Sequence, residues 1–294
     1  MKPHSGFVAI IGRPNVGKST LLNRLIGEKI AGVSPKPQMT RDVIRGILTQ
    51  KEGQVVFLDT PGLHDPRDLL GSHMVRAAQK TLEEADLIYF MVLPQSPHPF
   101  EEKILAMLHR VNRPAILLVN QVDRFPKPAV LPVLDHYQKA YAFRELIPIS
   151  AKEGTQLDVL LQATFALLPE HPPLFPEDQI SDQNERFLIT EIIREKIYQQ
   201  TGQEVPYAAA VIIESFEERS EKLIAIRAVV VVERESQKAI MVGKKGEKMR
   251  TIGQAARLDM EKFLGKKVFL ELWVKVASNW KKDKTELGRL GYGS

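Results

Sequence analysis

A chain of 294 residues, 44% hydrophobic and 26% charged, has the composition of a folded globular protein with room for two modest domains. It lacks cysteine, which excludes a disulfide framework and any thiolate metal site. No apolar run approaches the roughly 20 residues that span a bilayer, and the N-terminus carries no signal-peptide core, so a soluble cytoplasmic chain is expected. The net charge of +5 is unevenly placed: the last 59 residues hold 14 basic and 6 acidic side chains. That end either meets a polyanion or presents a solvated lysine-rich face.

In chain order, apolar runs at Phe7–Ile11, Val55–Leu58, Leu87–Leu93, Ala115–Val119 and Leu146–Ile149 alternate with helical periodicity over 18–27, 69–84, 100–111, 128–141 and 155–168. Strands unbroken by polar residues and separated by helices predict a parallel sheet covered on both faces. Val43–Gln50 precedes Val55–Leu58 across a Lys-Glu-Gly turn and is expected to pair with it antiparallel. The first domain, residues 1–170, is thus an α/β fold with a six-stranded, mostly parallel sheet. Four prolines between Pro169 and Pro176 predict a stiff linker over 171–182. Residues 183–294 read differently: a helix (183–201), β-prone runs Ala208–Glu214 and Leu223–Glu233, a strand-like Ala239–Val242, a helix (246–264), a strand (Val268–Val276) and a basic tail. This is an α+β arrangement.

The first domain carries its chemistry at strand ends. Gly12-Arg-Pro-Asn-Val-Gly-Lys-Ser19 follows a strand and opens a helix, the context of a phosphate-binding loop. Its glycines let backbone N–H groups wrap a β-phosphate, and the helix N-terminus adds positive potential. Gly12, Asn15, Val16, Gly17, Lys18, Ser19 and Thr20 form this set; Lys18 would reach the β- and γ-phosphates, and Ser19 would ligate Mg²⁺. Asp59-Thr-Pro-Gly62 ends the next strand, placing a carboxylate for Mg²⁺ and the Gly62 N–H for the γ-phosphate. Asn120-Gln121-Val-Asp123 supplies a carboxylate able to accept both N1–H and the N2 amine of guanine. Adenine lacks those donors at that edge and would leave the carboxylate unpaired. Ser150-Ala151-Lys152 would close over the base through backbone N–H groups. All four motifs fall where ligands bind in open α/β sheets.

Together these motifs resemble the guanine-nucleotide domain of translation-factor-class GTPases, most like the TrmE–Era–EngA group. The resemblance implies GTP/GDP as the nucleotide and Mg²⁺ as the metal, with Thr40 of Gln38-Met-Thr-Arg-Asp42 as the switch I metal ligand. Lys18, Thr40 and Gly62 become the catalytic set, and Ser19, Thr40 and Asp59 the metal set. Asn15 matches an asparagine that related GTPases use to ligate K⁺; the alternative is that it only shapes the loop. Two departures stand out. Leu63 occupies the place of the water-orienting glutamine of Ras-type GTPases, so slow intrinsic hydrolysis is expected. Gln121 stands where the guanine motif usually has lysine, which predicts guanine specificity kept through Asp123 with weaker affinity.

In the second domain, Gly243-Lys244-Lys245-Gly246 lies before a helix amid positive charge, with Lys248 and Arg250 following. A Gly-x-x-Gly turn of this kind brings N–H groups and lysines against a nucleic-acid backbone. The stretches Val231–Gly246 and Phe263–Val276 resemble the type II KH domain of the KH-bearing members of the same group. That likeness implies a monomer that binds 16S ribosomal RNA near its 3′ end, assists assembly of the 30S ribosomal subunit and associates peripherally with the inner face of the cell membrane. Two alternatives are a non-catalytic RNA-binding assembly factor with a structural nucleotide, and a related GTPase acting on another RNA. Trp273 is expected to face the core, whereas Trp280, beside Lys281 and Lys282, is a candidate for an RNA surface.

Overall fold

The computed structural model describes residues 2–95, 97–202 and 204–292. Residues group into two compact units. The first holds Met1–Ala31, Thr40–Pro66 and Met74–Asp182; the second holds Gly32–Met39, Arg67–His73 and Gln183–Ser294.

The first unit contains β1 (His4–Ile11), α1 (Lys18–Ile26), β2 (Ile44–Gln50) and β3 (Gly53–Asp59), then α2 (Leu69–Glu84) from Met74 onward, β4 (Leu87–Val92) and α3 (Pro99–Val111). It continues with β5 (Ala115–Val119), α4 (Val130–Ala140), β6 (Glu145–Pro148) and α5 (Leu157–Leu167). The sheet order is β2-β3-β1-β4-β5-β6, parallel except for the antiparallel β2–β3 pair. Six-stranded α/β architecture is therefore observed as expected. Strands β3, β4 and β5 are buried along their whole length, which is why their sequences run apolar without alternation. Because five strands run the same way, the loops after β1, β3, β5 and β6 emerge at one edge of the sheet.

The proline-rich stretch folds onto this unit. Gln54, fully buried on β3, accepts from the N–H groups of Leu174 and Phe175 and donates to the Phe175 carbonyl. Ile47 N–H donates to Ile180 O at 2.9 Å. Leu174 and Phe175 pack against Ile47, Val56 and Leu58, so their apolar side chains anchor a segment whose prolines prevent regular pairing.

The second unit comprises α6 (Glu185–Gln200), α7 (Val205–Ala208), β7 (Ala210–Ser220), β8 (Leu223–Val232), α8 (Glu235–Val242), α9 (Glu247–Leu264), β9 (Lys267–Val276) and α10 (Lys284–Arg289). Its sheet runs β7-β8-β9, with β7 antiparallel and β9 parallel to β8. Ile189 and Ile193 of α6, Ile252 and Met260 of α9, and Ile226 and Val230 of β8 share one core.

Three expectations are corrected here. Ala239–Val242 is not a strand but the last turn of α8, whose start is fixed by Gln237: its Oε1 accepts from the N–H groups of Glu233 and Arg234. Trp273 and Phe269 are 44% and 48% exposed, because the other parity of β9 (Val268, Leu270, Leu272, Val274) enters the core. Trp280 offers no surface: it is fully buried, donates Nε1–H to Ala208 O at 2.9 Å and stacks on Tyr292.

Candidate nucleotide site and RNA-binding loop

The loop after β1 is shaped by two glycines. Gly12 has φ 153° and Gly17 φ 104°. A Cβ on Gly12 would lie 2.5 Å from Met91 O, and one on Gly17 only 2.3 Å from Asn120 Nδ2, so neither position tolerates a side chain. Four carbonyls of the loop accept from side chains, two from the loop's own lysine and two from outside. Lys18 Nζ donates to Gly12 O and Arg13 O, both at 3.2 Å. Gln121 Nε2 donates to Asn15 O at 3.4 Å and Asn120 Nδ2 to Val16 O at 2.7 Å. Thr20 lies in the first turn of α1. With its carbonyls bound, such a loop can offer its N–H groups to an anion.

Lys18 is 6% exposed. Burial pushes its ammonium down to about 8, partly offset by the carboxylate of Asp59.

The three expected metal ligands converge from distant parts of the chain. Ser19 Oγ donates to Asp59 Oδ2 at 2.6 Å and lies 3.0 Å from Thr40 Oγ1, which itself reaches Asp59 Oδ2 at 3.4 Å. Asp59 is fully buried at the end of β3. Two hydroxyls and one carboxylate are hard oxygen donors, suited to a Mg²⁺ that keeps waters and takes phosphate oxygens as remaining ligands. Among the described residues no group of three or more His, Cys, Asp or Glu is placed to hold a metal ion.

Gly62 approaches the phosphate loop closely: a Cβ there would lie 2.9 Å from Pro14 Cγ and 3.0 Å from its Cα. The next residue, Leu63, is 3% exposed and joins the apolar cluster of Phe90, Ile104 and Leu108. Leu63 thus has neither the polar atom nor the position to orient water. His64, exposed to an intermediate degree, lies with Nδ1 2.9 Å from Gly62 O.

At the end expected to recognise the base, Asn120 bridges two motifs, donating to Val16 O and accepting from Ala151 N–H at 2.9 Å. Ser150 contributes its side chain as well as its backbone: Oγ donates to Asp123 Oδ1 at 2.6 Å and accepts from Glu153 N–H at 3.1 Å. That bond fixes the Asp123 carboxylate while leaving lone pairs for a base edge. Gln121 sits at φ 66° and its Oε1 accepts from Arg124 at 3.2 Å. Lys152 is exposed and pairs with Glu153.

Residues preceding Thr40 belong to the second unit. Val33 N–H donates to Glu195 Oε1 at 3.1 Å, Tyr198 OH to Gln38 O at 2.8 Å and Arg194 to Met39 O at 2.7 Å. Lys36 Nζ donates to the Tyr198 and Thr201 carbonyls, a cation capping the negative end of α6. Arg194 is itself buried against Glu191. Nothing in the spacing of these residues marks them, since the partners lie some 155–165 positions apart.

In the second unit, Gly243 ends α8 at φ 72°, where a Cβ would meet Lys248 Cβ at 2.8 Å. Lys244, Lys245 and Gly246 form one 3₁₀ turn leading into α9. Lys244, Lys245 and Arg250 are exposed and Lys248 is half-buried. A helix N-terminus crowned by exposed lysines has the electrostatics of an anion clamp.

Comparison with known proteins agrees with both halves. A family model described as 50S ribosome-binding GTPase matches residues 7–121, and a KH domain model matches residues 204–281. The chain is 45% identical over 289 residues to the GTPase Era of Staphylococcus haemolyticus, covering 98% of this chain and 97% of that one. It is 48% identical over 290 residues to the GTPase Era of Geobacter metallireducens, with the same coverage. The chain belongs to the Era family of GTPases. Solved Era structures match throughout. A point variant of Aquifex aeolicus Era bound to GDP·AlF4⁻ superposes with a TM-score of 0.95 at 41% identity over 100% of both chains. Era in complex with MgGDPNP and nucleotides 1506–1542 of 16S ribosomal RNA gives 0.96 at 41% identity, over 99% of this chain and 100% of that one. An Era-family P-loop domain followed by a KH domain is thus the architecture of this chain, and GTP hydrolysis is its reaction.

Proposed function

We propose that this chain is a Mg²⁺-dependent GTP switch that binds the 3′ region of 16S ribosomal RNA through its KH domain and assists 30S subunit assembly. The observation that carries this reading is the full-length similarity to an Era captured with that RNA segment and MgGDPNP, joined to an exposed Gly243–Gly246 clamp in this chain. Ser19, Thr40 and Asp59 would hold the metal, which when bound neutralises phosphate charge. Lys18 meets the β- and γ-phosphates, Gly62 N–H the γ-phosphate, and Asp123 reads guanine. With Leu63 buried, backbone groups near Thr40 and Gly62, or the γ-phosphate itself, orient the attacking water, so unassisted turnover is slow.

Thr40 follows directly on residues tethered to α6. Ordering Thr40 around metal and γ-phosphate therefore pulls on a segment that the KH-bearing unit holds through Arg194, Tyr198 and Lys36. This supports a nucleotide state that governs RNA engagement. Asn15 as a K⁺ ligand belongs to the same reading, supported by its left-handed φ of 65° within the phosphate loop. A cytoplasmic location with peripheral contact at the inner membrane face rests on family membership; among the described residues no helix is long and apolar enough to cross a membrane.

The test is binding of the chain to a 16S 3′-terminal RNA fragment in GDP and in a non-hydrolysable GTP analogue. Loss of binding in Gly243→Asp with Gly246→Asp, with GTP turnover kept, is expected. Unchanged binding would remove the KH loop from the account.

A further inference from the structure

One buried charge in the nucleotide unit has no part in the motifs above. Glu101, at the third position of α3, is 3% exposed. Its Oε2 accepts from His98 N–H at 2.8 Å and from Tyr137 OH at 2.5 Å. Its Oε1 accepts from Arg13 Nε at 3.2 Å. Tyr137 lies on α4 and is 1% exposed. Burial and the carboxylate beside it raise its hydroxyl far above the usual range, so it stays a donor. A carboxylate this deep requires a counter-charge, and the Arg13 guanidinium supplies one.

Arg13 is the second residue of the phosphate loop. Its carbonyl accepts from Lys18 Nζ, while its guanidinium turns outward to Glu101 and to Gln95 Oε1 at 3.3 Å. The rest of the loop is held elsewhere: Gly12 directly follows the end of β1, and Val16 O accepts from Asn120 Nδ2 at 2.7 Å. Between those anchors the turn Arg13-Pro14-Asn15 is tethered from outside by side chains. The bond from Gln121 to Asn15 O is long, at 3.4 Å, whereas the Arg13–Glu101 pair is charged and half-buried.

We propose that Glu101 is a positioning residue for GTP hydrolysis, fixing the outer turn of the phosphate loop, and with it Asn15, through the Arg13 guanidinium, while Lys18 keeps its bond to Gly12 O. The α- and β-phosphate cradle of residues 16–19 lies beyond the Asn120 anchor and is independent of this tether. Loosening the turn therefore costs the γ-phosphate end: turnover and GTP affinity fall, while GDP affinity holds.

The proposal rests on the phosphate-loop assignment. Single-turnover hydrolysis, affinities for GDP and for a non-hydrolysable GTP analogue, and melting temperature are measured for Arg13→Gln, Arg13→Lys, Glu101→Gln, the double variant Arg13→Gln/Glu101→Gln, and Tyr137→Phe. Expected are a fivefold to tenfold fall in hydrolysis rate for both Gln variants, with GDP affinity within about twofold. No further loss is expected in the double variant, since one tether is cut twice, and Arg13→Lys should recover part of the rate. Tyr137→Phe should lower the melting temperature and leave the rate in place. If both single Gln variants hydrolyse GTP within twofold of the parent, or lose GDP and GTP-analogue affinity equally, Glu101 is a structural brace only and the proposal fails. Should Glu101→Gln not fold, the Arg13 variants, whose side chain reaches solvent, decide alone. A parent that does not turn over GTP would instead remove the phosphate-loop assignment itself.

Discussion

Raising the pH from 7 to 8.5 should weaken GDP binding about fourfold through one group, Lys18. In the free protein its ammonium is lowered from 10.5 to about 8, first by burial and against the pull of Asp59. A bound diphosphate adds negative charge at its tip and restores the protonated form. At pH 7 roughly nine molecules in ten are already protonated; at pH 8.5 about three quarters are neutral and must take up a proton on binding. That ratio is the fourfold loss, about 0.8 kcal/mol. Isothermal calorimetry in two buffers of different ionisation enthalpy should show about 0.8 proton taken up per GDP at pH 8.5 and about 0.1 at pH 7. The same shift has a sign for stability. A lysine whose folded value lies below its unfolded value costs stability while charged, and the cost is relieved as pH rises from about 8 to 10.5. The nucleotide-free protein should gain up to about 3 kcal/mol from this group over that window, before other groups act. Equal GDP affinity at both pH values with no proton uptake would refute the buried, desolvated Lys18 on which the phosphate site is built.

Asp123→Asn should lower GTP affinity by about 10³-fold or more and raise affinity for xanthosine triphosphate, whose edge offers a carbonyl where guanine has an amine; competition binding checks both. Gln121→Lys should tighten GDP binding severalfold, because an ammonium replaces an amide 3.4 Å from Asn15 O; unchanged affinity in a titration would show that the departure from lysine is silent. If Asn15 ligates K⁺, hydrolysis should run faster in K⁺ than in Na⁺ buffers, and Asn15→Ala should abolish the difference; equal rates in the parent would leave Asn15 a loop residue. Trp280→Ala should cost about 3–5 kcal/mol and a matching fall in denaturation midpoint, since a fully buried ring and its bond to Ala208 O are lost.

Much of the nucleotide site was legible because its parts sit at the ends of apolar strands, and parallel strands bring their ends to one edge. Thus Ser19, Asp59, Asn120 and Ser150, far apart in sequence, could be placed together before the sheet was seen. Long-range side-chain bonds were not legible. Glu101 reads as an ordinary first-turn helix acid, and nothing in its spacing reveals a partner 88 positions away. The tethers from α6 to residues 33–39 are hidden for the same reason. Ala239-Ile-Met-Val242 misled because four apolar residues carry no period, and a helix as short as α8 is decided by its cap. Trp273 was misjudged despite a visible signal: Lys267, Glu271 and Lys275 share its parity on β9 and mark the outer face. Trp280 looked exposed beside two lysines, yet a large ring near a chain end finds more apolar area inside than any surface offers.

The central claim is that GTP hydrolysis here serves an RNA held by the Gly243–Gly246 clamp. Ultraviolet crosslinking of the chain in cells, followed by sequencing of the attached RNA, tests it most directly. The account predicts reads concentrated at the 3′ end of 16S ribosomal RNA and lost in Gly243→Asp with Gly246→Asp; reads concentrated on transfer RNA or large-subunit RNA, or persisting in that variant, would contradict it.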